Sequence, residues 1–200
     1  MALNFANNNS LSSITALPAS ISGGGLNLIS TQTASSSSTL SFTSGIDSTY
    51  KEYIFKFINI HPASDANLTF NASTDSGSNY NVTATTTYFN AYHLESGSES
   101  GLAYSVNNDH AQDTGFKKLT VSTGSGDDES CSGYLHLFQP SSTTFVKHYL
   151  GQISSYQSDN YAQFEHFSGY YNSTSAIDAI QFKMSSGNID AGTISLYGVV

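Results

Sequence analysis

The ten residues KEYIFKFINI, at positions 51–60, carry the strongest strand signal in this chain. Aromatic and β-branched residues dominate them, and successive side chains of a strand point to opposite faces of its sheet. The aromatic residues fall on one predicted face and the isoleucines on the other: Tyr53, Phe55 and Phe57 against Ile54, Ile58 and Ile60. Apolar residues on both faces predict a strand in the middle of a sheet, covered on both sides. Pro62 ends the strand, because proline has no N–H to donate to a ladder.

Further strand-like runs extend in both directions from this stretch, separated by clusters of Ser, Gly, Asn and Asp. The runs at 26–33, 161–171 and 179–185 are typical of them. No stretch keeps the apolar spacing of a helix over three turns. Ten or eleven short strands at this spacing predict an all-β protein with a sandwich or barrel fold. A jelly-roll-like antiparallel β-sandwich, with eight core strands and an extra hairpin, fits best.

The first 25 residues show no sustained apolar period of either kind. Pro18 interrupts them and three glycines end them, which predicts an extended N-terminal arm with a glycine hinge. The chain therefore divides into an arm, residues 1–25, and a β-sandwich domain, residues 26–200. We expect the isolated apolar residues of the arm to contact a partner: Leu3, Phe5, Leu11, Ile14, Leu17 and Ile21.

The chain carries little charge for its length. Charged residues make up 10% of it, against about 25% in an average soluble protein. A surface of hydroxyl and amide groups favours packing against copies of the same chain, because desolvating these groups costs less than desolvating charge. The formal net charge is −9 and the sequence contains no arginine. Nucleic-acid binding and attraction to a membrane are therefore not predicted.

The acidic cluster Asp127, Asp128 and Glu129 is a weak candidate for a cation site, since carboxylate oxygens suit Ca²⁺. Its spacing is not that of an EF-hand, so a solvated loop is the alternative. Among the six histidines, His136 and His148 lie on consecutive predicted strands and are candidate cross-strand neighbours. No zinc-binding spacing of histidines occurs. Neither a metal nor another cofactor is predicted.

Signals for catalysis are weak. Cys131, the single cysteine, follows an acidic run that would raise its pKa and lower its reactivity. The carboxylate pairs Glu95/Glu99 and Glu165/Asp178 are open candidates for a glycan-active enzyme, which needs two convergent acids. Nothing in the sequence favours either pair. The chain is therefore expected not to be an enzyme.

Tyrosine is unusually abundant, with 13 residues beside 12 phenylalanines. Tyrosine-rich surfaces bind sugars and proteins through flat contacts at a low entropic cost. The segment 156–171, together with the loops 96–100 and 124–130, is the candidate for such recognition. Its candidate contact residues are Tyr156, Tyr161, Tyr170 and Tyr171. The alternative is that these rings pack in the core and in subunit contacts.

The stretch SSGNIDAGTI, residues 185–194, lies between two apolar runs and looks at first like a ligand-binding loop. Gly187 and Gly192 supply backbone conformations with positive φ at a low cost. Asn188 and Asp190 are interpreted as turn-building residues, because such side chains accept or donate hydrogen bonds to the local backbone. Ile189 between them is expected to anchor the turn. The stretch is predicted to be a hairpin that closes a sheet.

Two segments resemble a known family. LNLISTQTASSSSTLSFTSGIDSTYKEYIFKFINIHP (26–62) and SAIDAIQFKMSSGNIDAGTISLYGVV (175–200) are similar to virion structural proteins of marine tailed phages, particularly cyanophages. The shared features are a LIS-T strand, a DSTYKEY strand entry and a closing I-x-F-x-x-S-G-N-x-D-x-G-T-I-x-L-Y-G. The resemblance spans residues 26–200 and is strongest at its two ends. It implies a virion component with a jelly-roll domain, and it transfers no catalytic residue.

From this resemblance we expect a non-enzymatic virion protein, assembled in the host cytoplasm, that decorates or cements the phage capsid. Its expected partners are copies of itself, as a trimer, and the major capsid protein, which the arm would clamp. The alternative is a short tail fibre or receptor-binding jelly roll that recognises host surface glycans. Fold alone does not separate the two.

Overall fold

The computed structural model describes residues 25–200, so the predicted arm, apart from Gly25, and its six apolar residues Leu3, Phe5, Leu11, Ile14, Leu17 and Ile21 lie outside the described residues. Residues 25–200 form twelve β-strands and no helix. The strands are β1 (Leu26–Thr33), β2 (Leu40–Phe42), β3 (Glu52–Pro62), β4 (Leu68–Ser73), β5 (Ala84–Leu94), β6 (Ser100–Tyr104), β7 (Lys117–Lys118), β8 (Cys131–Phe138), β9 (Lys147–Gln157), β10 (Tyr161–Tyr171), β11 (Ala179–Met184) and β12 (Ile189–Val199).

Within these residues the strands form two antiparallel sheets. The large sheet has the order β1-β12-β3-β8-β9-β10-β5-β6, and the small sheet has the order β2-β11-β4-β7. If the hairpins β5–β6 and β9–β10 are set aside, four strands face four strands in the order of a jelly roll with two Greek keys. The predicted all-β, jelly-roll-like sandwich is therefore confirmed. The structure has two added hairpins where one was predicted, and both extend the large sheet.

The stretch KEYIFKFINI forms most of β3, which pairs with β12 on one side and β8 on the other. Its three aromatic residues face the small sheet and are fully buried: Tyr53, Phe55 and Phe57. On the opposite side Ile54 is 8% exposed and Ile58 is 53% exposed. The predicted central position of the strand in its sheet is confirmed. The prediction that both faces of the strand are covered is wrong at Ile58.

A β-bulge at Asn59 changes the face of the residue that follows it. Asn59 has a φ of 49°, and the pairing of β3 with β8 shifts register between Phe57 and Ile60. The additional residue turns Ile60 inward, where it is fully buried. Grouping Ile60 with the outward isoleucines was therefore wrong, because strict alternation does not count a bulge. Gly192 of β12 lies against the Asn59 carbonyl, with φ of 107°, where a side chain would collide.

Phe182 of β11 contacts aromatic rings of both sheets. Its ring meets Phe55 and Phe57 of the large sheet edge-on, with ring centroids 5.2 Å apart in each pair. In the small sheet, Phe42 and Phe70 lie with centroids 6.1 and 6.3 Å from that of Phe182. Such pairs contribute about 0.5–1.5 kcal/mol each beyond the burial of apolar area. This cluster joins the two sheets at the centre of the sandwich.

The inner side of the added hairpins is covered by the link between β6 and β8. Leu119 in this link is fully buried, and its carbonyl accepts a long hydrogen bond from the Tyr88 hydroxyl, at 3.5 Å. Tyr88 of β5 stacks on Phe167 of β10, with ring centroids 6.4 Å apart. The core therefore continues from the jelly roll into the hairpins.

The closing stretch is not a sheet-closing hairpin. β11 belongs to the small sheet and β12 to the large sheet, so the turn between them crosses from one layer to the other. Ile189 is fully buried and anchors the turn as predicted. The predicted bonds of Asn188 and Asp190 to the backbone of their own turn are not formed; the Asn188 amide instead donates to the distant Ser36 carbonyl at 3.0 Å. The Asp190 carboxylate accepts from the Ser36 hydroxyl at 2.6 Å. Both polar residues tie the crossing to the link between β1 and β2.

We expect Phe182→Ala to lower the free energy of unfolding by about 3–5 kcal/mol, because it leaves a cavity among four rings. Chemical denaturation followed by circular dichroism measures this change. Phe145→Ala is the matched control, since Phe145 is 69% exposed, and its change should stay within about 0.5 kcal/mol. Equal losses in the two variants would contradict the central place of Phe182.

Candidate functional site

The large sheet presents an exposed apolar surface on the side turned away from the small sheet. We call the part of this surface that lies level with residues 52 to 58 of β3 the outer face. Of the eleven large apolar side chains that are exposed within residues 25–200, eight belong to this side of the large sheet. They are Leu26, Leu28, Ile58, Phe89, Leu102, Tyr104, Leu150 and Phe164. The exposed apolar residues are thus concentrated on one side of the molecule.

The outer face carries little charge. In the described part of the chain, the register places two charged side chains on it, Glu52 and Lys56, both on β3. Glu52 pairs with Nδ1 of His136 on β8. The Lys56 ammonium lies over the ring of Tyr197, 5.2 Å from its centroid. Both charges therefore lie along the surface and are engaged with neighbours in the same sheet.

Three histidines lie on the outer face among aromatic rings. His166 stacks on Phe89, with ring centroids 4.7 Å apart. His136 lies opposite Leu150, and His148 lies opposite Tyr170. The predicted cross-strand neighbours His136 and His148 therefore share a face but lie one row apart. Between residues 25 and 200, no three His, Cys, Asp or Glu side chains converge as a metal site would require. The imidazoles add aromatic, polarisable area to this surface.

The relief of the outer face is shallow. A groove of about 430 Å³ runs beside Ile54, Ile58 and Tyr134. A second, of about 370 Å³, lies between Phe138 and Tyr170. Both are open and lined mainly by apolar atoms. Shallow apolar relief of this kind suits contact with another protein surface better than enclosure of a small molecule.

Three loops meet at the end of the sheet nearest Tyr156, and we call this region the loop end. The Glu95 amide donates to the Asn160 carbonyl at 3.0 Å, and the Gly124 amide donates to the Tyr156 carbonyl at 3.0 Å. The Tyr161 hydroxyl donates to the Glu99 carboxylate at 2.8 Å. The segments predicted to form one recognition surface are therefore brought together here.

The loop end places tyrosine hydroxyls near carboxylates. The neighbouring Glu95 carboxylate raises the pKa of Tyr156, and a hydrogen bond to Glu99 raises the pKa of Tyr161. A hollow at the loop end measures about 360 Å³, and its lining includes Glu95, Tyr156 and Ser132. Hydroxyl and carboxylate oxygens in one place can accept hydrogen bonds from a polyhydroxyl ligand.

The four candidate tyrosines do not form one surface. Tyr156 and Tyr161 lie at the loop end, while Tyr170 lies at the far end of β10, beside His148. Tyr171 is fully buried, with its ring centroid 5.0 Å from that of Tyr149. Its assignment to surface recognition was wrong, because successive residues of a strand point to opposite faces.

The acidic loop is organised by its own backbone. The Glu129 carboxylate accepts a hydrogen bond from the Gly126 amide at 2.6 Å, and the Glu129 carbonyl contacts Nδ1 of His61 at 2.6 Å. Asp127 and Asp128 are exposed. The Glu129 carboxylate thus faces its own loop and does not converge with the carboxylates of Asp127 and Asp128.

Glu165 of β10 is buried in the interior rather than exposed in a cleft. Its Oε1 accepts from the Ser155 hydroxyl at 2.8 Å and from the Val121 amide at 3.2 Å, while Oε2 has no partner among the described residues. Burial raises the pKa of this carboxyl to about 7. Asp178 instead accepts from the Ser76 amide at 3.0 Å. The pair Glu165/Asp178 therefore shares no cleft.

Cys131 is buried beside the same interior group. It pairs with Ser155 across β8 and β9, and burial, together with the nearby Glu165, raises the pKa of its thiol. The predicted direction of this shift holds, but the predicted cause, the neighbouring acidic run, was wrong. A buried thiol with a raised pKa is a poor nucleophile.

The chain matches no family model, no curated protein and no solved structure. Residues 25–200 also contain no helix long and apolar enough to cross a membrane. The sequence signal for the outer face was the alternation of Tyr134, His136 and Phe138 in β8 and of Phe164 and His166 in β10.

We expect Glu165 to make the fold less stable as the pH rises. The pKa of Glu165 in the folded state, about 7, exceeds its ordinary value of 4.5, so the folded protein holds the proton more tightly than the unfolded chain. The free energy of unfolding should therefore fall by up to about 3 kcal/mol between pH 4.5 and 7, and then stay level.

Denaturation of Glu165→Gln at pH 5 and pH 8 measures this contribution. The variant should lose most of the difference between the two pH values, because an amide does not titrate. Asp128→Asn removes an exposed carboxylate and serves as the control, with a pH dependence like that of the parent chain. An unchanged slope in Glu165→Gln would show that another group is responsible.

Proposed function

We propose that this chain is a non-enzymatic structural protein of a phage virion, which decorates or cements the capsid shell. The observation that carries the proposal is the outer face, an exposed apolar and aromatic surface with two charged side chains in the described part of the chain. Monomeric soluble proteins rarely expose large contiguous apolar patches. A face of this kind fits a protein that works inside an assembly.

The resemblance to phage virion proteins supports the same proposal. The two segments that carry it, 26–62 and 175–200, contain β1 to β3 and β11 to β12. In space, β1, β12 and β3 are neighbours in the large sheet, and β2 and β11 are neighbours in the small sheet. The similar segments thus form one block that spans both layers, as a shared jelly-roll framework requires.

Attachment to the shell is assigned to the N-terminal arm. Leu26 begins β1, which is an edge strand of the large sheet, so residues 1–25 join the domain at its rim. A tethered arm raises the effective concentration of its contacts, and weak contacts can then add to tight binding. The partners in this role are the major capsid protein and copies of the same chain.

Copy number in purified virions tests the decorating role. Quantitative mass spectrometry should find hundreds of copies in each particle, and electron microscopy should place them on the capsid. A few or tens of copies confined to the tail would contradict it.

Removal of residues 1–25 tests the arm. We expect the truncated chain to keep the cooperative unfolding of the parent, because the core lies within β1 to β12. It should lose binding to capsids in co-sedimentation. Normal coating of capsids by the truncated chain would show that the arm is not the attachment element.

Glycan recognition by a tail fibre or receptor-binding protein is the second candidate, and the loop end favours it. If it holds, a glycan array should show binding that free sugar competes, and Tyr156→Ala should abolish it. Tyr170→Ala is the matched control, since Tyr170 lies at the opposite end of β10. If the parent chain binds no glycan, glycan recognition by the loop end is contradicted.

A further inference from the structure

We propose that the outer face is the interface between two copies of this chain, related by a two-fold axis that crosses the strands at the level of Ile54. This inference deepens the proposed function and rests on its claim that the face is covered in an assembly. In this arrangement β1, β12, β3, β8, β9, β10 and β5 of the large sheet each face the same strand of the second copy, which runs antiparallel to it. An isologous interface of this kind closes at two copies.

A two-fold axis at Ile54 places the rows from Glu52 to Lys56 of the two copies opposite each other. The seven strands that cross these rows give a width of about 34 Å at a spacing of about 4.8 Å, and the four-residue rise gives a length of about 13 Å. Two such areas would bury about 900 Å² in total, which is the size of a small interface that forms at high protein concentration. Sheets that pack face to face at about 10 Å interdigitate side chains of this size.

The charges of the outer face complement themselves under this symmetry. Glu52 and Lys56 lie two residues on either side of Ile54 on the same strand. A two-fold axis at Ile54 places Glu52 of one copy opposite Lys56 of the other, and it does so twice. One negative and one positive group select neither an acidic nor a basic partner, whereas a second copy satisfies both.

The apolar side chains of the face supply the remaining contact. Leu26, Leu28 and Leu150 are between 38% and 55% exposed, so each still has area to bury. Aromatic residues and histidines stand between them, and aromatic rings are enriched in the cores of interfaces, where charged residues are depleted. The composition of the face is thus that of an interface core rather than of a solvated surface.

Sedimentation equilibrium of the full chain at up to about 100 μM tests the dimer. We expect a dimer for the parent chain, and Leu28→Lys and Leu150→Lys should each weaken it about tenfold or more, because both side chains lie on the row of the axis. Phe145→Lys is the matched control, since Phe145 is 69% exposed in the link between β8 and β9 and lies off the face. It should remain dimeric, and circular dichroism should show all three variants folded.

A charge exchange tests the orientation of the two copies. Glu52→Lys and Lys56→Glu should each weaken the dimer, and the double variant should recover most of the loss. Within one copy the two residues lie about 13 Å apart along a strand, so they do not pair with each other. The double variant also lacks the Glu52–His136 contact, which leaves pairing between copies as the source of recovery.

A monomer at the highest concentration, a trimer, an equal loss in Phe145→Lys, or no recovery in the double variant would each overturn the two-fold interface. These results are distinct from failure of the proposed function. If the chain is monomeric but occurs in hundreds of copies on the capsid, the dimer is contradicted and the decorating role is supported. The outer face would then contact a different protein. If the chain forms the dimer but is absent from virions, the interface is supported and the decorating role is contradicted.

Discussion

The packing of Phe182 against rings of both sheets is the contact on which the rest of the structure depends. It joins the small sheet to β3 of the large sheet, and Phe55 and Phe57 lie on its far side. Once these residues face inward, the two-residue period of a strand sends their neighbours outward. The outer face is therefore a consequence of the core: Ile54 and Ile58 are apolar, yet the fold leaves them on the side that the small sheet does not cover.

The difference in width between the sheets shapes the functional surface. The two inserted hairpins double the width of one layer of the jelly roll but not of the other. Their inner side is closed by the link that contains Leu119, and the buried Glu165 lies in this extension, beside Cys131 of β8. The result is a broad surface with grooves along β3, β8 and β9, and a loop end where the two hairpin turns meet.

Several features were predictable from the sequence because they depend on neighbours along the chain. The strands at 26–33 and 161–171 have the predicted bounds, and Ile189 anchors the closing turn as predicted. The loop end was also predicted as a group of segments, although Tyr170 and Tyr171 do not belong to it. The predicted face of Ile60 was wrong because a β-bulge precedes this residue. The predicted hairpin of β11 and β12 was wrong because a short turn can connect two strands of one sheet or two strands of different sheets.

The sequence by itself determined an all-β sandwich, a surface with little charge and the places of the turns, because alternation, composition and glycine placement are local properties. Only the tertiary structure decided which of the two apolar faces of KEYIFKFINI is buried. It also decided that Glu165 lies in the interior, and that the exposed apolar residues of distant strands share one side. These outcomes depend on register and on the position of the second layer, which arise from contacts between residues far apart in the chain.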